Sequence, residues 1–418
     1  MSKFIINGGQ PLKGTIRVNG AKNAAVAIIA ATVLIPEECI INEVPQISDV
    51  EKMLQILSEL GAKVDRQGHQ VKIDCSSIGL SDLNQKAVCA MRSAILLMGP
   101  FLARFKSIAI SEPGGCLIGN RPLDSHFIAL EALGAKISRD NGGYLLKTDG
   151  LTGANIILPE FSVTATENAI MAAVLAKGRT TIKLAAAEPH VQDLIDFLNQ
   201  AGAKIKIAGT HILEIDGVEK LNGLEYTIIP DMIEAGTFAV AAAATSGQVR
   251  IENVRPDHLD IIILKLREAG VKIEAGDNYL LVDGQVELQA IKKLQTLPYP
   301  GFPSDLEAPF GVLATQCQGE TVIEEVLYEG RLGYINELVK MGAQAVIQDP
   351  HRVLISGPTP LTGQECQSLD LRAGATMIIA GLTAQGQTII NEAQIIDRGY
   401  EKIEERLANL GADIKRID

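Results

Sequence analysis

A thiol at Cys116 lies between Pro113-Gly114-Gly115 and Leu117-Ile118-Gly119-Asn120, and Arg121 follows it five positions on, ahead of Pro122-Leu123-Asp124. Glycines on both sides let this backbone take positive φ and fold over a ligand. A guanidinium near a thiol favours the thiolate and grips phosphate or carboxylate in fork geometry. This spacing could support acid or nucleophilic chemistry on an anion; it could equally be a plain hairpin whose cysteine is a small hydrophobe. Cations at matching places elsewhere favour the first alternative. Lys22, Arg92 and Arg372 each stand at the head of a run of small apolar residues, and Arg121, Arg331 and Arg398 each mark the start of a second kind of helix. Scattered surface arginines would not keep such a register.

Groups of this kind need elements to hold them, and the chain supplies those elements six times. The phrase Leu60-Gly61-Ala62-Lys63 recurs at Gly134, Gly202, Gly270, Gly342 and Gly411, with glycines 73, 68, 68, 72 and 69 residues apart. A helical pattern such as Leu54 to Leu60 precedes each, so the glycine reads as a helix C-cap and the phrase as a helix-to-strand turn. Alternating segments such as Tyr279 to Val282 follow as strands. A period of roughly 70 residues exceeds the common solenoid units, so each copy is expected to be a small α/β fold.

A second recurring element is a helix apolar on every side, opened by polar residues: Ala24 to Leu34, Ala94 to Met98, Ala169 to Ala176, Ala235 to Ala244, Leu306 to Ala314 and Ala373 to Leu382. Such helices have no face to show solvent and are expected inside a domain. Asp231 and Glu234 are expected to cap the fourth. A third row, Ser48-Asp49, Arg121-Pro122, Pro189-His190, Pro256-Asp257, Arg331-Leu332 and Arg398-Gly399, is expected to start the other helix of each repeat. Three repeats per domain would make two domains whose buried helices aim their partly positive N-termini at a shared cleft, where phosphates bind readily.

Composition narrows the function. The chain has 418 residues, enough for at least two domains, and a net charge of −12 that disfavours nucleic acid or an anionic membrane as partner. An anion site must then be a local basic pocket. The longest apolar run, Ala24 to Pro36, is too short to span a bilayer, and the N-terminus lacks a signal core, so a cytoplasmic location is expected. Six cysteines without a C-x-x-C pair or a histidine at ligand spacing argue against disulfides and zinc, and all six are expected to be reduced. No metal or cofactor is expected, and a monomer is.

Gly20-Ala21-Lys22-Asn23-Ala24-Ala25, the Cys116 loop, Gly301-Phe302-Pro303-Ser304-Asp305, Asp370-Leu371-Arg372-Ala373 and Asp397-Arg398-Gly399-Tyr400-Glu401 together resemble the enolpyruvyltransferases, in particular the branch that uses UDP-N-acetylglucosamine. The resemblance covers residues 3 to 416. It implies a two-domain inside-out α/β barrel, each domain three βαβαββ repeats around buried parallel helices. Residues 22–229 would form the N-terminal domain carrying the Cys116 loop, residues 1–21 plus 230–418 the C-terminal domain, with the active site between them. The implied reaction moves the enolpyruvyl group of phosphoenolpyruvate to the 3-hydroxyl of UDP-N-acetylglucosamine by addition and elimination, releasing phosphate and opening peptidoglycan synthesis for the cell wall. By the same likeness Cys116 would be the acid and the thiol alkylated by fosfomycin, and Asp305 the base. Asn23 would orient the acceptor hydroxyl; Lys22, Arg121 and Arg398 would hold phosphate, and Arg331 and Arg372 the carboxylate. Arg92, Arg121, Pro122, Leu123, Asp124, Ser162, Val163 and Leu327 would contact substrate, and the Cys116 loop would close on nucleotide binding.

The pattern departs from that family at Thr164, where glycine is usual, at Glu160, where a lysine can touch phosphate, and at Leu96 and Ser125. These leave the phosphoenolpyruvate residues intact and bear on the acceptor. Another uridine nucleotide as acceptor, or a non-catalytic paralogue that only binds a UDP-sugar, remain alternatives. The phosphoshikimate branch lacks the Cys116 loop and the match at Asn23. His126 could either hydrogen-bond substrate or serve the start of its helix.

Overall fold

The computed structural model describes residues 2–79, 92–111, 119, 122–140 and 143–417. They form two compact units. One holds residues 2–19 and 230–417 with Gly119; the other holds the remaining described residues between 20 and 229.

The third repeat shows the plan. Strand Asn155–Ile157 leads into the buried helix Val163–Ala173, then strand Arg179–Lys183, helix Pro189–Gln200 and the hairpin Lys204–Gly209 with Ile212–Asp216. The first two strands pair in parallel, as a connection through a helix requires, and the hairpin adds two antiparallel strands on the other side. Five four-stranded sheets share this order, and the sixth, built from Ser107–Ser111, Gly143–Lys147 and Lys136–Asp140, has three strands among the described residues. Strands such as Gln248–Glu252 and Gln387–Asn391 alternate buried and open positions, so each sheet turns one face to the core.

Pairing partners far apart in sequence close each unit. Lys3–Asn7 lies between Gln387–Asn391 and Asp413–Ile417, so the start of the chain completes the last repeat. In the other unit, Glu225–Thr227 pairs in parallel with Cys39–Asn42.

The apolar helices are buried as expected. In Met232–Ala244 every residue after the first is buried, in Glu307–Gln316 every residue before the last, and in Leu371–Thr383 all but the two ends. These three pack on one another. Hydroxyls within them bond back to the preceding turn, Thr237 to Ile233 at 2.8 Å and Thr376 to Arg372 at 2.8 Å, so they bury no unmet donor. Asp231 and Asp370 cap two of the helices by accepting from backbone amides. Glu234 does not share the capping expected of it: it stands in the first turn, but its carboxylate accepts from the Asn19 amide and pairs with Arg406.

The second apolar stretch departs from a plain α-helix. Residues Arg92–Leu97 form a 3-10 turn and the α-helix runs Met98–Phe105. Pro100 has no N–H to give the carbonyl of Leu96, so a continuous helix from 92 is interrupted and restarts with proline in its first turn. Pro309 has the same effect on the carbonyl of Asp305, which sits in the 3-10 turn Ser304–Leu306 ahead of Glu307–Gln316.

The six repeated glycines carry φ between +89° and +107°, the left-handed conformation that ends a helix and that side chains with a Cβ resist. The expected starts of the other helices need correction at three places. Pro256–His258, Arg331–Gly333 and Ala393–Arg398 are 3-10 turns that precede the α-helices Asp260–Glu268, Tyr334–Lys340 and Ile403–Ala408. No described helix is long and apolar enough to cross a membrane.

Candidate active site

Asp305, Arg331 and Arg372 come together within the 230–417 unit. Arg331 binds one carboxylate oxygen of Asp305; Arg372 reaches the other through Nε at 3.1 Å and Nη2 at 3.0 Å. The two guanidiniums are about 5% exposed and the Asp305 side chain 30%, so the carboxylate is the open member, backed by two buried cations. Burial by itself lowers the pKa of both arginines, and Asp305 is the first of the groups that outweigh it and keep them protonated.

Tyr400, buried, fixes the far side of Arg372. It accepts from Nη1 at 3.1 Å and lies 2.9 Å from the Thr237 hydroxyl, which itself donates to the Ile233 carbonyl. Each hydroxyl then accepts one proton and donates one, and the relay locks the guanidinium plane. Beneath Arg331, the buried Glu325 accepts from Ser304 Oγ at 2.7 Å and from the amides of Leu327 at 2.8 Å and Tyr328 at 3.1 Å. That places the backbone of Leu327, whose side chain is exposed, directly after the cluster. Arg398 is half-buried at the end of its turn, two residues before Tyr400. Its neighbour Asp397 takes a two-pronged contact from Arg416 at 2.9 and 2.5 Å.

The other predicted residues that the structure describes belong to the 20–229 unit. Lys22 opens the helix Lys22–Ala31 and pairs at 2.9 Å with Asp49, at the start of the helix Ser48–Glu59. Asn23, next on the same helix, is half-buried. Pro122 and Asp124 are exposed and Leu123 buried at the head of the helix Asp124–Ala132. Ser162 and Val163 form the first turn of Val163–Ala173. Two hydrogen bonds tie these helix starts together: His126 Nε2 with Thr164 Oγ1 at 2.9 Å, and Ser125 Oγ to Glu160 at 2.9 Å. Thr164 is helical, so the positive φ a glycine would allow is not used there. The His126–Thr164 bond joins the two helix starts. Cys116 and Arg121 lie outside the described residues, as does the side chain of Arg92.

The sequence profile described as EPSP synthase (3-phosphoshikimate 1-carboxyvinyltransferase) matches residues 6–407. The chain belongs to this family. It is 45% identical to the UDP-N-acetylglucosamine 1-carboxyvinyltransferase of Coxiella burnetii, over 100% of this chain and 96% of that one. It is also 45% identical to UDP-N-acetylglucosamine 1-carboxyvinyltransferase 3 of Caldanaerobacter subterraneus subsp. tengcongensis, over the full length of both. Among solved structures, the enolpyruvyl transferase NikO from Streptomyces tendae superposes with a TM-score of 0.91 at 23% identity, covering 99% of this chain and 98% of that one. EPSP synthase from Acinetobacter baumannii gives 0.76 at 19% identity over the whole of both chains. These two likenesses establish the fold.

For this member of the EPSP synthase family, sequence reasoning assigned no role to Tyr400, Thr237, Glu325, Glu307 or Tyr334. A signal existed for Glu307, an acid within an otherwise apolar helix, and for Tyr400, which stands in the quoted Asp397 to Glu401 motif. Four of the six cysteines, Cys39, Cys75, Cys317 and Cys366, are buried free thiols whose pKa burial pushes up to about 11 or 12. Cys89 and Cys116 lie outside the described residues. Among the described residues no group of three or more His, Cys, Asp or Glu side chains could hold a metal.

Proposed function

We propose that this protein transfers the enolpyruvyl group of phosphoenolpyruvate to the 3-hydroxyl of UDP-N-acetylglucosamine, releasing phosphate. Full-length identity of 45% to enzymes named for that activity carries the reading. The Asp305 cluster supports it, because an open carboxylate braced by two buried guanidiniums suits a base that works beside an anionic substrate.

In this reading Arg331 and Arg372 receive the carboxylate of phosphoenolpyruvate, and Lys22, Arg121 and Arg398 its phosphate. Cys116 gives a proton to the vinyl CH2, the acceptor oxygen bonds to the adjacent carbon, and Asp305 takes the hydroxyl proton while Asn23 orients the attack. The methyl proton of the tetrahedral adduct then returns to the Cys116 thiolate as phosphate departs, leaving a vinyl ether on the sugar. Arg92, Pro122, Leu123, Asp124, Ser162, Val163 and Leu327 position the nucleotide sugar, and the protein acts as a cytoplasmic monomer in peptidoglycan synthesis.

Glu160 and Thr164 motivate a second reading, another uridine nucleotide as acceptor, since both are hydrogen-bonded into the elements proposed to hold the nucleotide. Phosphate release from phosphoenolpyruvate with UDP-N-acetylglucosamine, UMP, shikimate 3-phosphate or no acceptor tests both. Release with UDP-N-acetylglucosamine alone is expected. Release with UMP alone would replace the acceptor, and silence throughout with retained nucleotide binding would leave a binding protein. Cys116→Ala is expected to lose most turnover while still binding the UDP-sugar; undiminished activity would remove the thiol from the mechanism.

A further inference from the structure

Behind Arg331 lies a carboxyl group to which the proposed mechanism gives no task. Glu307 is fully buried in the first turn of Glu307–Gln316, and its Oε1 accepts from the Tyr334 hydroxyl at 2.6 Å. Its other oxygen, Oε2, is buried with no hydrogen-bond partner, an arrangement that would be costly for an ionised carboxylate. Room for Tyr334 comes from Gly311 one turn along the same helix, where any Cβ would collide with the tyrosine hydroxyl. The charged groups that act on Glu307 come from three neighbouring stretches: Glu325 after strand Gly319–Glu324, Arg331 in its 3-10 turn, and Asp370 at the cap of Leu371–Thr383. Tyr334, from its own helix, completes the set.

We propose that Glu307, held by Tyr334, is a positioning residue that stays neutral so that Arg331 can serve Asp305 and an incoming substrate carboxylate. The inference rests on the reading of Arg331 and Arg372 as carboxylate-binding groups. Around Arg331 the acids Asp305, Glu325 and Asp370 already outnumber the two guanidiniums. Ionised Glu307 would add a fourth negative charge beside Arg331, compete with Asp305 for its donors, and repel the carboxylate of phosphoenolpyruvate. Burial is the main reason its carboxyl is pushed up to about 8, with Glu325 and Asp370 adding to the rise and Tyr334 and Arg331 opposing it. The group is therefore neutral at pH 7 and gains charge as pH rises through about 8. Tyr334 does not compete as a proton donor over this range, since burial and then Glu307 raise its own pKa well above the usual tyrosine value.

The test is the KM for phosphoenolpyruvate, measured by phosphate release from about pH 6.5 to about pH 9.5 in the full-length enzyme. Wild type is expected to show a rise of about ten-fold across the upper limb, the size of one unit charge acting over about 12 Å at an effective dielectric of about 20. In Glu307→Gln the amide keeps an acceptor for Tyr334 and cannot ionise, so this rise disappears. In Tyr334→Phe the hydrogen bond that favours the charged form is lost, so the inflection moves to higher pH. A thiol titrating elsewhere is common to all three proteins and cancels in their ratios, and the KM for UDP-N-acetylglucosamine serves as the internal control. A wild-type KM that stays flat to pH 9.5, which needs no variant to observe, would overturn the proposal. So would a Glu307→Gln profile superimposable on that of wild type. Failure of the underlying functional reading looks different: phosphate is then not released from phosphoenolpyruvate with any acceptor.

Discussion

Replacing Arg372 separates a binding role from a structural one. Its guanidinium is about 5% exposed and makes two contacts to Asp305, at 3.1 and 3.0 Å, and one to Tyr400 at 3.1 Å. Arg372→Lys keeps the charge and loses the fork, so one charge-assisted bond to a substrate carboxylate goes. At about 1.5–3 kcal/mol for such a bond, kcat/KM for phosphoenolpyruvate should fall about 10- to 150-fold. Arg372→Leu removes both, for a fall of about 10²- to 10⁴-fold. Stability should change much less. Asp305 retains Arg331 and is 30% exposed, Tyr400 retains Thr237, and removing a buried cation also removes its desolvation penalty, so a loss of about 1–2 kcal/mol is expected. Steady-state kinetics with each substrate varied in turn, beside denaturant unfolding, reads both quantities. A variant within about two-fold of wild type in kcat/KM for phosphoenolpyruvate, or one whose losses are equal for both substrates and follow its loss of stability, would refute the reasoning.

Other outcomes follow from single features. Arg406→Leu removes the cation paired with Glu234, 4% exposed in the first turn of a buried helix, and should cost about 3–5 kcal/mol of unfolding free energy; adding Glu234→Gln should recover much of it, and a sum of independent losses would contradict the pairing. Because four of the six thiols are buried with raised pKa, a thiol reagent on the native protein should modify at most Cys89 and Cys116, and all six after unfolding; a third rapid native reaction would show that one of the four is accessible. Gly411→Ala places a Cβ at φ +93° with no atom in its way, so the expected loss of about 1–2 kcal/mol is purely conformational, and an unchanged melting temperature would deny the left-handed cap.

The repeat was legible in the chain because its signals are local. A glycine after a helical run, a proline that withholds an N–H and a helix apolar on every side each declare themselves within a few residues, which is why six C-caps and the buried helices were readable without coordinates. Arg331 and Arg372 stood out through their recurrence at matching places, and Asp305 through the family resemblance; the structure brings these three together. What surrounds them was not. That Tyr400 locks Arg372, that Thr237 completes the relay, and that Tyr334 meets Glu307 depend on contacts 28, 163 and 27 positions apart. Side chains so distant in sequence meet only once the buried helices pack and the closing strands set the register, and no local pattern encodes that distance. The same holds for Lys3–Asn7, whose alternation marks it as a strand but whose place beside Asp413–Ile417 is decided by closure of the last sheet. Residue types determined which chemistry was possible here; packing alone decided which carboxyl stands open beside two arginines and which is buried behind them, because solvation and neighbouring charge are properties of position in the fold.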